Sequence, residues 1–167
     1  DIGGRLTGRI GRTTVGVLHM LAGDEPLSAT SSTEFSVARV TRDLLRGSSV
    51  GLIATNRSVG QNGGAATQTF GADGRFRFFN SLDVNTYWAR TRTDGLVGKD
   101  TSYRAQMDYT GDRYGAQLEH LAIGNAFNPE VGFLRRSDIR KSSAALRFSP
   151  RPRRFRSEEH TSELQSR

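Results

Sequence analysis

The stretch that decides the fold is Thr69-Phe70-Gly71-Ala72-Asp73-Gly74-Arg75-Phe76-Arg77-Phe78. Thr69, Gly71, Asp73, Arg75 and Arg77 fall on one parity; Phe70, Ala72, Gly74, Phe76 and Phe78 fall on the other. Side chains of a strand point alternately to its two faces, so this segment reads as a strand with one charged and one apolar side. The same period of two returns in Ser102–Thr110. There Ser102, Arg104, Gln106, Asp108 and Thr110 oppose Tyr103, Ala105, Met107 and Tyr109. It returns again where Leu82, Val84, Thr86 and Trp88 oppose Asp83, Asn85, Tyr87 and Ala89, and where Tyr114, Ala116 and Leu118 oppose Gly115, Gln117 and Glu119.

Working outward, β-branched residues and looser alternation extend the reading to residues 3–10, 13–22, 33–42 and 49–57, and a last strand is expected over 139–148. No segment carries a 3.6-residue apolar stripe, so about nine strands and no helix are expected. The connections add a second pattern. Gly11–Arg12, Leu44–Ser48, Asn80–Ser81 and Gly111–Asp112 are tight. Residues 23–32, 58–67, 93–99 and 124–132 are longer and rich in small polar residues. Tight and long connections alternate, which places all the tight turns at one end of an up-and-down antiparallel sheet. Short turns at one end and long loops at the other are the pattern of outer-membrane β-barrels. Strands of about ten residues match the length that crosses a bilayer core at a tilt. The expected fold is therefore all-β: an antiparallel up-and-down sheet of about nine strands, an unclosed part of an outer-membrane β-barrel. Two open edges of such a sheet invite aggregation of the isolated chain.

Composition agrees with that class. Only 35 % of the 167 residues are hydrophobic, as suits strands of which one side must be apolar. The absence of cysteine removes disulfides, thiolate metal sites and a cysteine nucleophile. The net charge of +7 raises the question of nucleic acid, but it is local. Residues 135–155 hold eight basic side chains against Asp138 alone, whereas residues 1–134 hold 14 basic and 13 acidic ones. No reader motif and few aromatics accompany the basic segment, so nucleic acid is not an expected partner.

The alternation also assigns candidate positions. Asp73, Arg75, Arg77, Asp83, Arg104, Asp108 and Glu119 share the polar parity and would face a wet lumen, where side chains tune selectivity. Phe70, Phe78, Trp88, Tyr103 and Tyr109 share the apolar parity and are candidates for the aromatic girdles at the two membrane interfaces. No nucleophile elbow, metal-ligand spacing or cofactor motif occurs, so no catalytic residue, metal or cofactor is expected. His19 and His120 read as ordinary face residues, and Asp24 and Glu25 as solvated loop charges rather than calcium ligands. Asn128-Pro129 marks a turn, which with Ala126, Phe127 and Phe133 suggests an ordered loop. Periodicity alone does not say which face is outside. A soluble β-barrel binding a small ligand in an apolar cavity stays open, as does a glycan hydrolase using two lumenal carboxylates such as Asp108 and Glu119.

Residues Gly111–Arg136 read G-D-R-Y-G-A-Q-L-E-H-L-A-I-G-N-A-F-N-P-E-V-G-F-L-R-R, with Phe35-Ser-Val-Ala-Arg-Val-Thr-Arg-Asp upstream and Leu146-Arg-Phe-Ser-Pro-Arg-Pro downstream. This text resembles a large uncharacterised bacterial family, classed as a domain of unknown function. Its members join an N-terminal domain similar to the family-nine carbohydrate-binding modules to a C-terminal outer-membrane β-barrel. The resemblance covers residues 3–154, all in the barrel region, and Asn125–Arg136 is its most specific part. It implies location in a bacterial outer membrane, contact with membrane lipid, and a role as anchor or passage linked to carbohydrate handling. A glycan partner would be held by the upstream domain, and the family supplies no catalytic residue to carry over. Residues Arg156–Ser166 read R-S-E-E-H-T-S-E-L-Q-S and resemble the translation of a sequencing adapter. The expected organisation is a partial barrel domain over residues 1–155, truncated at both ends, and an artefactual, disordered tail over 156–167.

Overall fold

The computed structural model describes residues 1–23, 32–44, 47–59, 65–131 and 136–150. The adapter-like tail, Asp24, Glu25, Phe133 and the arginines at 135, 151, 153 and 154 lie outside the described residues. Nine strands follow one another: β1 (Ile2–Ile10), β2 (Thr13–Ala22), β3 (Thr33–Asp43), β4 (Ser49–Arg57), β5 (Thr67–Phe78), β6 (Leu82–Thr93), β7 (Thr101–Thr110), β8 (Tyr114–Ile123) and β9 (Ile139–Phe148). They form one sheet in sequence order, each antiparallel to the next. Among the described residues β1 and β9 each pair on one side only, so the sheet is not closed.

The turns follow from local chemistry. Gly11 links β1 to β2 with a φ of 60°, the left-handed conformation that a two-residue hairpin demands and that glycine adopts without strain. Between β5 and β6 the chain uses Phe79 and Asn80, with φ of 52° and 58°. The sequence placed this turn at Asn80–Ser81. The structure keeps both residues in the turn and adds Phe79 to it, because Phe78 pairs with Leu82 and leaves three residues between the strands. Asn tolerates the left-handed region through its short polar side chain; Phe does so at a cost.

Register decides which side chains share a face. Ser49 opposes Arg75, Arg75 opposes Asn85, Asn85 opposes Gln106 and Gln106 opposes Glu119. Leu52 opposes Ala72, Ala72 opposes Trp88 and Trp88 opposes Tyr103. From β5 to β7 the polar parity therefore stays on one side and the apolar parity on the other, with Arg90 and Arg92 joining the apolar side at the long-loop end of β6. β2 and β3 mix the two: Leu18, Met20, Phe35 and Val37 fall on the polar side, and Glu34, Ser36 and Arg42 on the other. Among the described residues no second layer packs on the apolar side. Leu6, Leu52, Phe70, Trp88, Leu118 and Leu146 are all exposed there. The buried set is the reverse of a soluble core. Among the described residues the buried apolar side chains are Ala122, Ala126 and Phe127. Thr33, Thr67, Thr69, Thr91 and Ser102, all on the polar face, are buried. Hydroxyls lie inside and large apolar groups outside.

Candidate functional site

The polar face is knitted together by charge. Arg77 Nε donates to Asp83 Oδ1 at 2.8 Å, and Arg104 Nε donates to Glu119 Oε1 at 2.7 Å. Arg104 Nη2 also donates to Gln106 Oε1, and Gln106 Nε2 donates to Asp108 Oδ2 at 2.7 Å. Lys141 Nζ lies 3.7 Å from Glu119 Oε2. The chain of contacts Arg77–Asp83 and Arg104–Gln106–Asp108 solves a local problem. Asp83 and Asp108 are directly opposed on β6 and β7, a destabilising like-charge pair unless each finds a donor. All seven polar candidates, Asp73, Arg75, Arg77, Asp83, Arg104, Asp108 and Glu119, lie on this one face.

One pair reaches further. Arg39 on β3 donates to Asp73 on β5 at 2.7 Å, across the intervening β4. Gly51 of β4 makes room for it. A Cβ at Gly51 would stand 2.7 Å from Asp73 Oδ1. Arg39 carried no signal in the sequence, because β3 alternates weakly: Val37, Arg39 and Thr41 share the polar parity with Phe35. Only the register with β4 and β5 brings it to Asp73.

At the long-loop end the polar face is covered. Segment Gly124–Val131 follows β8 and crosses over the ends of β4 and β6. Gly124 sits so close to the Lys99 carbonyl that any side chain there would collide with it. Ala126 N–H donates to the Lys99 carbonyl at 3.0 Å, and Lys99 N–H donates to Asn125 Oδ1 at 2.9 Å. Asn128 N–H donates to Thr91 Oγ1 at 3.0 Å. Arg57 Nη1 stands 3.4 Å from Glu130 Oε2, with their side chains 13 % and 9 % exposed. The Phe35 ring supports the Arg57 guanidinium at 5.2 Å, and Asn128 Nδ2 donates to Glu130 Oε1. Arg57 Nε and Glu130 Oε2 make no hydrogen bond, so this ion pair is held by charge and enclosure rather than by ideal geometry. The Asn128-Pro129 turn read from the sequence is thus part of an ordered segment, whereas the Arg57–Glu130 partnership had no signal in spacing.

The apolar face carries the aromatic candidates. Phe70, Phe78, Trp88, Tyr103 and Tyr109 all project from it, each between 39 % and 54 % exposed. On β5, Phe70 lies towards the long loops and Phe78 at the tight turn, eight positions away. On β7, Tyr103 and Tyr109 are six positions apart. At about 3.3 Å per residue the larger spacing is about 26 Å along the strand, or about 20 Å after a ~40° tilt. Two aromatics escaped the sequence reading: Tyr114 and Phe148 stack at 5.3 Å between ring centroids at the tight-turn end. The parity of Tyr114 with Ala116 and Leu118 was the available signal.

Other positions separate. His19 bonds Ser36 Oγ at 3.0 Å and His120 bonds Ser142 Oγ at 2.8 Å, on strands at opposite sides of the sheet. Among the described residues no three His, Asp or Glu side chains group as metal ligands. The basic segment divides: Lys141 and Arg147 lie on the polar face and Arg140 on the apolar one. Glu119, one of the two carboxylates considered for hydrolysis, is bound by Arg104 and Lys141. Comparison with known protein families, with curated proteins and with solved structures finds no match for this chain.

Proposed function

We propose that this chain is part of an outer-membrane β-barrel whose apolar face meets lipid and whose charged face lines the interior, serving as a membrane anchor or passage. One observation carries the reading. The large apolar side chains of nine strands stand exposed on one face, while the opposite face buries hydroxyls and pairs its charges. A soluble protein rarely leaves a contiguous apolar surface of this extent. In lipid the same surface is favourable, and a spanning sheet must then close on itself to satisfy its backbone. Aromatics near both ends of the apolar face fit the interfacial girdles. A shallow groove of about 540 Å³ on that face, bordered by Val84, Ala105, Met107, Leu118 and Ala144, has the size and apolar lining to seat acyl chains. Segment Gly124–Val131 narrows the interior at the long-loop end.

The link to carbohydrate handling rests on the family resemblance, most specific at Asn125–Arg136, and the glycan-contacting domain it implies lies upstream. Membrane fractionation tests the central claim. The protein should sediment with outer membranes and be released by detergent but not by high salt. Recovery in the soluble fraction without detergent would reject the reading.

A further inference from the structure

On the polar face, near mid-strand, three arginines from three strands border one groove of about 340 Å³: Arg39 of β3, Arg75 of β5 and Arg104 of β7. Thr41, Ser49, Asn85 and Tyr87 also line it. The charges in this groove do not balance. Asp73 is its one carboxylate, and it accepts from Arg39. Arg104 leans away to Glu119, which Lys141 also approaches, so two cations share that carboxylate. Arg75 forms no ion pair among the described residues. Its one side-chain hydrogen bond there is from Nε to the neutral Asn85 Oδ1, long at 3.3 Å. A guanidinium has five donors in a planar fork suited to oxygen anions, and most of those of exposed Arg75 are left to solvent rather than to described protein groups.

We propose that this groove is a binding site for a small oxyanion, with Arg75 as its principal contact and Arg39 and Arg104 as flanking charges. The site deepens the barrel reading and rests on it for its role: on the wall of an enclosed interior it would make the passage prefer solutes bearing phosphate or carboxylate groups. Low-dielectric walls concentrate the field of unbalanced charge, and rings of arginine or lysine are the usual lining of anion-selective pores. Asp73 has a role in this scheme. By occupying Arg39 it keeps affinity low enough for an anion to leave again, which conduction requires. The groove opens on the face opposite the exposed apolar side chains, so its ligand comes from the aqueous phase and not from lipid headgroups.

The test is a titration of the full chain, refolded into detergent micelles, with inorganic phosphate replacing chloride at constant ionic strength. Arginine Nε–Hε resonances are followed by NMR. Arg75 should shift saturably, with smaller shifts at Arg39 and Arg104. Arg75→Gln should weaken binding about tenfold, as expected for the loss of one charge-assisted hydrogen bond. Arg92→Gln, on the apolar face, should leave binding unchanged. Asp73→Asn should tighten it, and this second variant decides the matter if Arg75→Gln does not fold. A strictly linear, unsaturable response, equal effects of the Arg75 and Arg92 changes, or no tightening on Asp73→Asn would overturn the proposal. The titration does not depend on where the protein resides in the cell. Phosphate binding by a chain found in the soluble fraction would reject the barrel reading and leave the groove standing.

Discussion

The two faces of the sheet are built from the same backbone and obey opposite rules. On the polar face nearly every charged group among the described residues has a partner, and Gly124–Val131 covers the ends of β4 and β6. On the apolar face Leu118, Leu52 and Trp88 touch no second layer. The difference teaches that the hydrogen bonds and ion pairs of this sheet gather on its polar side, and it is the exposed apolar side that the proposed lipid contact would explain. Burial of polar groups costs little where they find hydrogen bonds, whereas exposure of apolar groups to water is unfavourable.

The sharpest way to break the polar side is Glu130→Ala. It leaves the Arg57 guanidinium enclosed without its counter-ion, a loss of about 3–5 kcal/mol where a buried pair is broken. The amide of Asn128, which donates to Thr91, should then lose its protection from hydrogen exchange. Unchanged protection would mean that the segment is held by its backbone bonds alone.

Next in size is a charge placed on the other face. Leu118→Arg should cost about 2–4 kcal/mol in protein refolded into bilayers, the effect of arginine near the midplane of a membrane barrel. The same exposed position on a water-facing sheet would tolerate it within about 0.5 kcal/mol. Urea titration in lipid vesicles and in water separates the two. A negligible cost in vesicles would count against lipid contact.

Gly51→Ala sharpens the comparison further. Its Cβ meets the Asp73 carboxylate and should displace it from Arg39, at a cost of about 1 kcal/mol. The Arg39 Nε–Hε resonance would report the lost pair directly. Smallest is Phe79→Gly, at the rim where both faces end. Removing a left-handed phenylalanine relieves about 1–2 kcal/mol of strain, less the about 0.5–1 kcal/mol that glycine loses in unfolded freedom. A net gain of about 0.5–1 kcal/mol is expected in denaturant midpoint measurements. A net loss instead would show that the ring stabilises the turn where it stands.

Much of this was legible before any coordinates. Alternation in Thr69–Phe78, Leu82–Ala89, Ser102–Thr110 and Tyr114–Glu119 placed all seven polar and all five aromatic candidates on the faces they occupy, because parity along a strand is a local property. What escaped was non-local. Arg39 reaches Asp73 over Gly51, and Arg57 meets Glu130 from a loop more than 70 positions away in the chain. Phe79 in the β5–β6 turn escaped for a different reason: its place follows from the pairing of β5 with β6, and phenylalanine is not a residue that turn chemistry selects.

The sequence by itself determined the period, the strand count, the order of short and long connections, and the two parities. Each of these is set by steric rules acting over a few residues. Tertiary structure alone decided which parity is enclosed, which charges find each other, and which cation is left over. Those outcomes depend on register across several strands and on where a loop folds back, and no short window of residues contains that information.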